Sequence, residues 1–150
     1  MKKLLVLLFS ILISFNSYGK TICYESNSVQ ERNGLWYLPN QQEPFTGDNL
    51  CEFEGSNQYK SKGQIKQGKR DGKWTYWHAS GGREREATFK DGKEDDKWTR
   101  WYENGQIESE GNYKDGKKEG KETWWHKNGQ KWSEINYKDG KKKWNCWGLC

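Results

Sequence analysis

The sequence predicts an all-β fold, an antiparallel β-hairpin array built from about four copies of a 24-residue unit, on three observations. The first is self-similarity: residues 73–96, 97–120 and 121–142 are copies of one another, the last shortened by two residues before Lys143-Trp144 opens a partial copy. A degraded copy, 50–72, precedes them, with Phe53 where the others place a tryptophan. Repetition at such a period marks units that bury their faces against their neighbours. The second is a pair of turn signals per copy. Asn104-Gly105 and Asn128-Gly129, with Ser80-Gly81-Gly82 in the weaker copy, alternate with Asp91-Gly92, Asp115-Gly116 and Asp139-Gly140. Gly, Asn and Asp tolerate the positive φ that tight hairpins need. The third is segment length: stretches such as 107–113 alternate in residue type and are too short for helices.

Columns of the repeat suggest which side chains face inward. Phe53, Trp77, Trp101 and Trp125 form one column, with Thr75, Thr99 and Thr123 two residues earlier, and this column is expected to be core. Ile65, Phe89, Tyr113 and Tyr137 form a second, with Gly63, Ala87 and Gly111 two positions back. A two-residue Asn-Gly loop would set Trp101 opposite Glu108. A three-residue loop, Glu103-Asn104-Gly105 with Gly105 left-handed, sets Trp101 opposite Ile107 and Thr99 opposite Ser109, so the hydrophobic pattern selects it. Arg83 and Lys131, at the Ile107 position, are then placed to stack over Trp77 and Trp125. Trp98 and Trp132 are expected to be exposed.

The rest of the chain frames this array. Residues 1–19 carry Lys2 and Lys3, an apolar run and a small-residue approach ending in Gly19, the pattern of a cleaved secretory signal peptide. The apolar run, 4–15, is short for a membrane span. Export to the periplasm or the medium is therefore expected, leaving 131 residues whose formal charge falls from +5 to +3 with the loss of the two lysines. Residues 20–44 form an N-terminal segment, 45–147 the repeats and 148–150 a tail. The 131 residues hold four Leu, four Ile, one Val and three Phe but all ten Trp, so the core must be aromatic.

In an oxidising compartment Cys23, Cys51, Cys146 and Cys150 are disulfide candidates with three possible connectivities. Pairing Cys23 with Cys51 and Cys146 with Cys150 is preferred, because each bond then staples one end. No cofactor or metal site is expected: there is no CxxC, and the two histidines, His78 and His126, share a repeat position with Tyr102, which marks a generic surface slot. Glu108 and Glu110 lie two apart on one strand and read as a solvated face rather than the paired carboxylates of a glycosidase. GxSxG, P-loop and HExxH motifs are absent, and the lysine after each Asp-Gly follows a hairpin glycine rather than opening a helix. The chemistry expected is binding, without catalysis.

Two surfaces could bind. Trp98 and Trp132 supply aromatic anchors of the kind that dominate interfaces. Lys90, Lys93, Lys114, Lys117, Lys118, Lys138, Lys141, Lys142 and Lys143 flank the Asp-Gly turns, which in a regular stack project from one edge as a basic ridge. Such a ridge could attract anionic lipid, an acidic glycan or an acidic protein, or simply keep a sheet edge soluble. Nucleic acid is disfavoured by export and by the 21 acidic residues.

The pattern W-x-x-W-Y/H-x-N-G-Q followed by E-x-N-Y-K-D-G-K resembles the variant MORN repeat of bacterial YwqK-type antitoxin proteins over about residues 45–147, and 34–37 and 44–47 resemble the opening of such proteins. The resemblance implies a β-hairpin array acting as a binding surface, with no catalytic residues to carry over, and a protein partner such as a toxin or effector. The apolar leader and the cysteines depart from that pattern.

Overall fold

The computed structural model describes residues 20–26 and 29–143. Residues 1–19, expected from the sequence to be a signal peptide, the tail 148–150 and the second cysteine pair expected, Cys146 with Cys150, lie outside them. Ten strands form one sheet in the order β1 (Thr21–Ile22), β4 (Gly47–Glu52), β5 (Tyr59–Lys66), β6 (Lys69–Trp77), β7 (Arg83–Lys90), β8 (Lys93–Trp101), β9 (Ile107–Lys114), β10 (Lys117–Trp125), β11 (Lys131–Lys138) and β12 (Lys141–Lys143). From β4 onward each strand pairs antiparallel with the next in sequence, and β1 lies parallel to β4. β2 (Gln30–Arg32) and β3 (Leu35–Tyr37) make a separate hairpin.

The turns are those the sequence predicts. Asp91-Gly92, Asp115-Gly116 and Asp139-Gly140, joined by Gln67-Gly68, which the sequence reading did not single out, all have positive φ at both residues, 49–51° then 75–84°. These are type I′ turns, whose twist matches the flanking strands. At the other end Gly105 is left-handed at φ 82°, and Tyr102 N–H donates to the Gln106 carbonyl at 2.9 Å, closing the three-residue loop. Trp101 accordingly pairs with Ile107.

Two kinds of bulge reset the alternation. At the Asn-Gly end Arg100 pairs with Ser109 while Trp101 pairs with Ile107, so Glu108 is an extra residue and Thr99 faces Glu110 rather than Ser109. Glu84 and Trp132 are extra in the same way. Within β6, Lys62 pairs with Thr75 and Gln64 with Asp71, so Gly63 alone faces three residues, 72–74. Gly72, Asp96 and Gly120 sit in this wide bulge with φ of 68°, 76° and 73°.

The bulges change which tryptophans are buried. Trp74 and Trp98 are 0% and 8% exposed, whereas Trp77, Trp101 and Trp125 are half-buried. The core tryptophans are therefore Trp74 and Trp98, not those of the Trp77 column, of which Thr99 and Thr123 alone are buried, and Trp98 is not an exposed anchor. Its lining explains why. Trp74 lies over Gly63 and pairs with Ala87; Trp98 pairs with Ala87 and with Gly111. Small residues leave room for an indole across the strand, and where the column becomes Glu122 its partner becomes Ile135. Asn49, paired with Gly63, begins the same column. Phe53 also moves: its N–H donates to Gln58 O as His78 N–H does to Gly82 O, which places it in the His78 slot rather than the Trp77 column.

The N-terminal segment covers one end of this face. Ile22 and Phe45 are buried with Ile65, Trp74, Ala87, Phe89 and Trp98, and Tyr24, Val29, Trp36 and Leu38 pack against them. Tyr24 stacks on Trp36 at 4.9 Å and meets Trp74 edge-on at 5.7 Å. Arg70 inserts its guanidinium among Tyr24, Trp36, Trp74 and Phe89, 5.1–5.6 Å from each ring. Cys23 and Cys51 form the preferred disulfide and tie this segment to β4. The opposite face is polar, with Lys73–Glu86, Lys97–Glu110 and Lys121–Glu134 pairs at 3.1, 3.0 and 2.9 Å repeating copy by copy.

Candidate binding surface

The surface builds outward from the β10–β11 hairpin. Its loop closes through His126 N–H to Gln130 O and Gly129 N–H to His126 O, each 2.8 Å. Trp124 pairs with Ser133 and Trp125 with Lys131, leaving Trp132 as the bulged residue. Bulges re-aim a side chain. Trp132 is 58% exposed and lies edge-on to Trp124, 6.3 Å between rings, and 5.9 Å from the His126 ring. The other copies hold Glu84 and Glu108 at this place. The array therefore does not need an indole there.

The neighbouring copy carries charge at the matching positions. Arg100, equivalent to Trp124, stands 4.0 Å from Glu108, equivalent to Trp132. Glu108 and Glu110 are thus separated, the first turned toward Arg100 and the second bonded to Lys97, rather than sharing one polar face. Arg83 stacks at 4.8 Å over Trp101 of the following copy instead of Trp77, and Lys131 bonds Glu134 at 2.9 Å. The histidine slot is a tie between copies: a His78 Nε2 contact to Trp101 O at 3.1 Å is matched by Tyr102 Oη donating to Trp125 O at 2.8 Å. Among the described residues no group of three or more His, Cys, Asp or Glu is placed to hold a metal.

The lysines divide. The Asp-Gly turns do stack along one edge: Gly92, Gly116 and Gly140 donate their N–H groups to Arg70, Glu94 and Lys118 carbonyls at 2.8–2.9 Å. A Cβ on these glycines would stand 3.4, 3.6 and 3.7 Å from the Cβ atoms of Lys69, Lys93 and Lys117. Lys90, Lys114, Lys117, Lys141 and Lys142 are exposed. Lys138 is held by Glu119 at 3.0 Å, and Glu119 also accepts the Asp139 N–H at 2.9 Å. That backbone bond, then Lys138, holds the Glu119 carboxyl below its ordinary range.

Lys118 leaves the ridge altogether. Its Nζ bonds the buried Glu122 at 2.6 Å and stands 5.0 Å from the Tyr137 ring and 6.0 Å from Trp98. Glu122 is 3% exposed, and losing its cation would strand a buried charge. Of the tryptophans and lysines expected to bind, the structure brings Trp132 together with Trp124 and His126, buries Trp98, and separates Lys118 from Lys114, Lys117, Lys138, Lys141 and Lys142. Sequence reasoning missed Trp124 and Arg100. The signal was a column comparison, in which one copy places Tyr76, the next Arg100 and the last Trp124.

Residues 70–91, 97–115 and 118–139 match the MORN repeat variant family. No curated protein and no solved structure matches the chain. The matched units coincide with the β6–β11 hairpins, and the preceding copy, unmatched, completes the same ladder through β4 and β5. With its hairpins, its turns and its sheet order all repeating in step with those matches, the chain carries three MORN-variant repeats between residues 70 and 139.

Proposed function

We propose that the protein is a non-enzymatic binding module in which Trp132 anchors a second protein. The observation that carries this reading is an indole 58% exposed at a bulge where the other copies place glutamate. An exposed ring held by Trp124 and His126 offers large contact area at low conformational cost. The finer reading, drawn from the antitoxin resemblance and the apolar leader, is an exported protein that blocks a toxin or effector sterically. A non-catalytic role is supported by the occupation of the polar groups, since Glu86, Glu110 and Glu134 are each paired with lysine and His78 contacts a backbone carbonyl.

Affinity capture from the envelope fraction without reductant, run in parallel with wild-type protein and Trp132→Ala, tests the reading. Specific loss of one retained protein in the variant is expected. An identical set of retained proteins in both would sink it.

A second reading rests on the stacked turns, whose exposed lysines could hold the protein on anionic lipid. Binding to phosphatidylglycerol vesicles should then collapse between low and moderate salt, as screening shortens to about 8 Å near physiological ionic strength. Salt-insensitive or absent vesicle binding removes this alternative.

A further inference from the structure

We propose that the segment seated on Trp132 also carries a carboxylate, which docks on Arg100; this rests on the aromatic-anchor reading and names the chemistry of its partner. The register lines up one row across the sheet: Tyr76, Arg85, Arg100, Ser109, Trp124 and Ser133 are successive cross-strand partners. Two arginines thus stand directly opposite one another, an arrangement that is destabilising unless neutralised.

Arg85 is answered. Its Nη2 donates to Glu94 Oε1, and Glu94 is itself a departure from the repeat, since the same position holds Arg70 and Lys118 in flanking copies. Arg100 is compensated only at longer range. The carboxylate nearest to it among the described residues, Glu108, is at 4.0 Å, and its Nε is shielded from solvent with no hydrogen-bond partner. Its side chain is nonetheless 43% exposed, so the outer guanidinium nitrogens can be reached. Across the strand Ser109 is fully buried and its Oγ also lacks a partner. Guanidinium N–H groups only donate, so the exposed outer nitrogens of Arg100 call for an acceptor, whereas the fully buried Ser109 is out of reach of a docked group. What the row lacks is an acceptor with negative charge.

Arg100 on β8 and Trp132 on β11 are three strands apart, roughly 14 Å at ordinary sheet spacing. An extended peptide rises about 3.3 Å per residue and alternates its side chains, so an acidic residue four positions from an aromatic or aliphatic one shares its face and spans the gap. A planar carboxylate matches the guanidinium fork.

The test is a ¹⁵N NMR titration of the full chain that follows the Arg100 Nε–H and Trp132 Nε1–H signals. The probes are Ac-Asp-Gly-Gly-Gly-Trp-NH₂, Ac-Trp-Gly-Gly-Gly-Asp-NH₂, their Asn counterparts, and glucuronic acid. Both Asp and Asn peptides should shift Trp132, and at least one Asp peptide alone should shift Arg100. Arg100→Gln should weaken that Asp peptide by about two- to fivefold, to the level of its Asn counterpart, with Arg100→Lys between. Retained shifts of Trp132 with the Asn peptides show that the Arg100→Gln variant is folded. Equal binding of Asp and Asn peptides overturns the proposal alone. An equal Arg100 shift with glucuronic acid overturns it in favour of an acidic glycan. Silence at Trp132 with every peptide sinks the anchor reading and this proposal together.

Discussion

A Cβ on Gly63 would stand 2.3 Å from the ring of Trp74, closer than the 3.0 Å that separates a Cβ on Gly111 from Trp98 Nε1. Neither glycine has a positive φ, so the constraint is steric. Gly63→Ala must displace a fully buried indole and should cost about 1–3 kcal/mol. Gly111→Ala should cost less, because Ala87 already carries a methyl against both Trp74 and Trp98. Urea denaturation of the two variants checks the order; equal midpoints would contradict it.

Two tryptophans of one repeat family should behave oppositely. Trp98→Ala empties a buried site and should lower stability by about 3–5 kcal/mol. Trp132→Ala loses only a partly exposed ring contact, at most about 1 kcal/mol. Thermal melts of both read this directly, and a large loss in Trp132→Ala would make that residue architectural.

Asp96 holds a φ of 76° where Gly72 and Gly120 fill the same bulge in the flanking copies. A left-handed L-residue carries a penalty of about 1–2 kcal/mol, smaller for Asp, which glycine avoids. Asp96→Gly should therefore stabilise the protein by about 0.5–1 kcal/mol. A lowered denaturation midpoint would show that the Asp96 side chain does something the bulge itself does not.

Burial raises the pKa of the Tyr24 phenol from its ordinary value of 10.0 to about 12, with the Arg70 charge opposing the rise. The folded state favours the neutral phenol, so this contribution is complete below pH 10 and is lost as pH rises toward 12. Unfolding followed by fluorescence should steepen across pH 10–12, and Tyr24→Phe should flatten that dependence. An unchanged slope in the variant would assign the alkaline limb to other groups.

The bulges separate what was legible from what was not. The Asp-Gly and Asn-Gly turns were read from sequence because a positive φ is a local backbone demand, met by those residues wherever they stand. The Trp101–Ile107 pairing followed from the loop length. The buried column did not follow, because alternation counted from Trp101 skips the extra Glu108 and arrives on the wrong parity at Thr99. The same miscount exposed Trp98 and buried the Trp77 column.

By itself the sequence determined the period, the hairpins, their turn types and the aromatic nature of the core, since these rest on local conformational preference and composition. Only the tertiary structure decided which face each indole takes, that Lys118 serves Glu122 instead of the ridge, and that Trp132 stands clear beside Trp124 and His126. Those outcomes depend on cross-strand partners, and a residue's partner is set by bulges accumulated along the ladder rather than by its immediate neighbours in the chain.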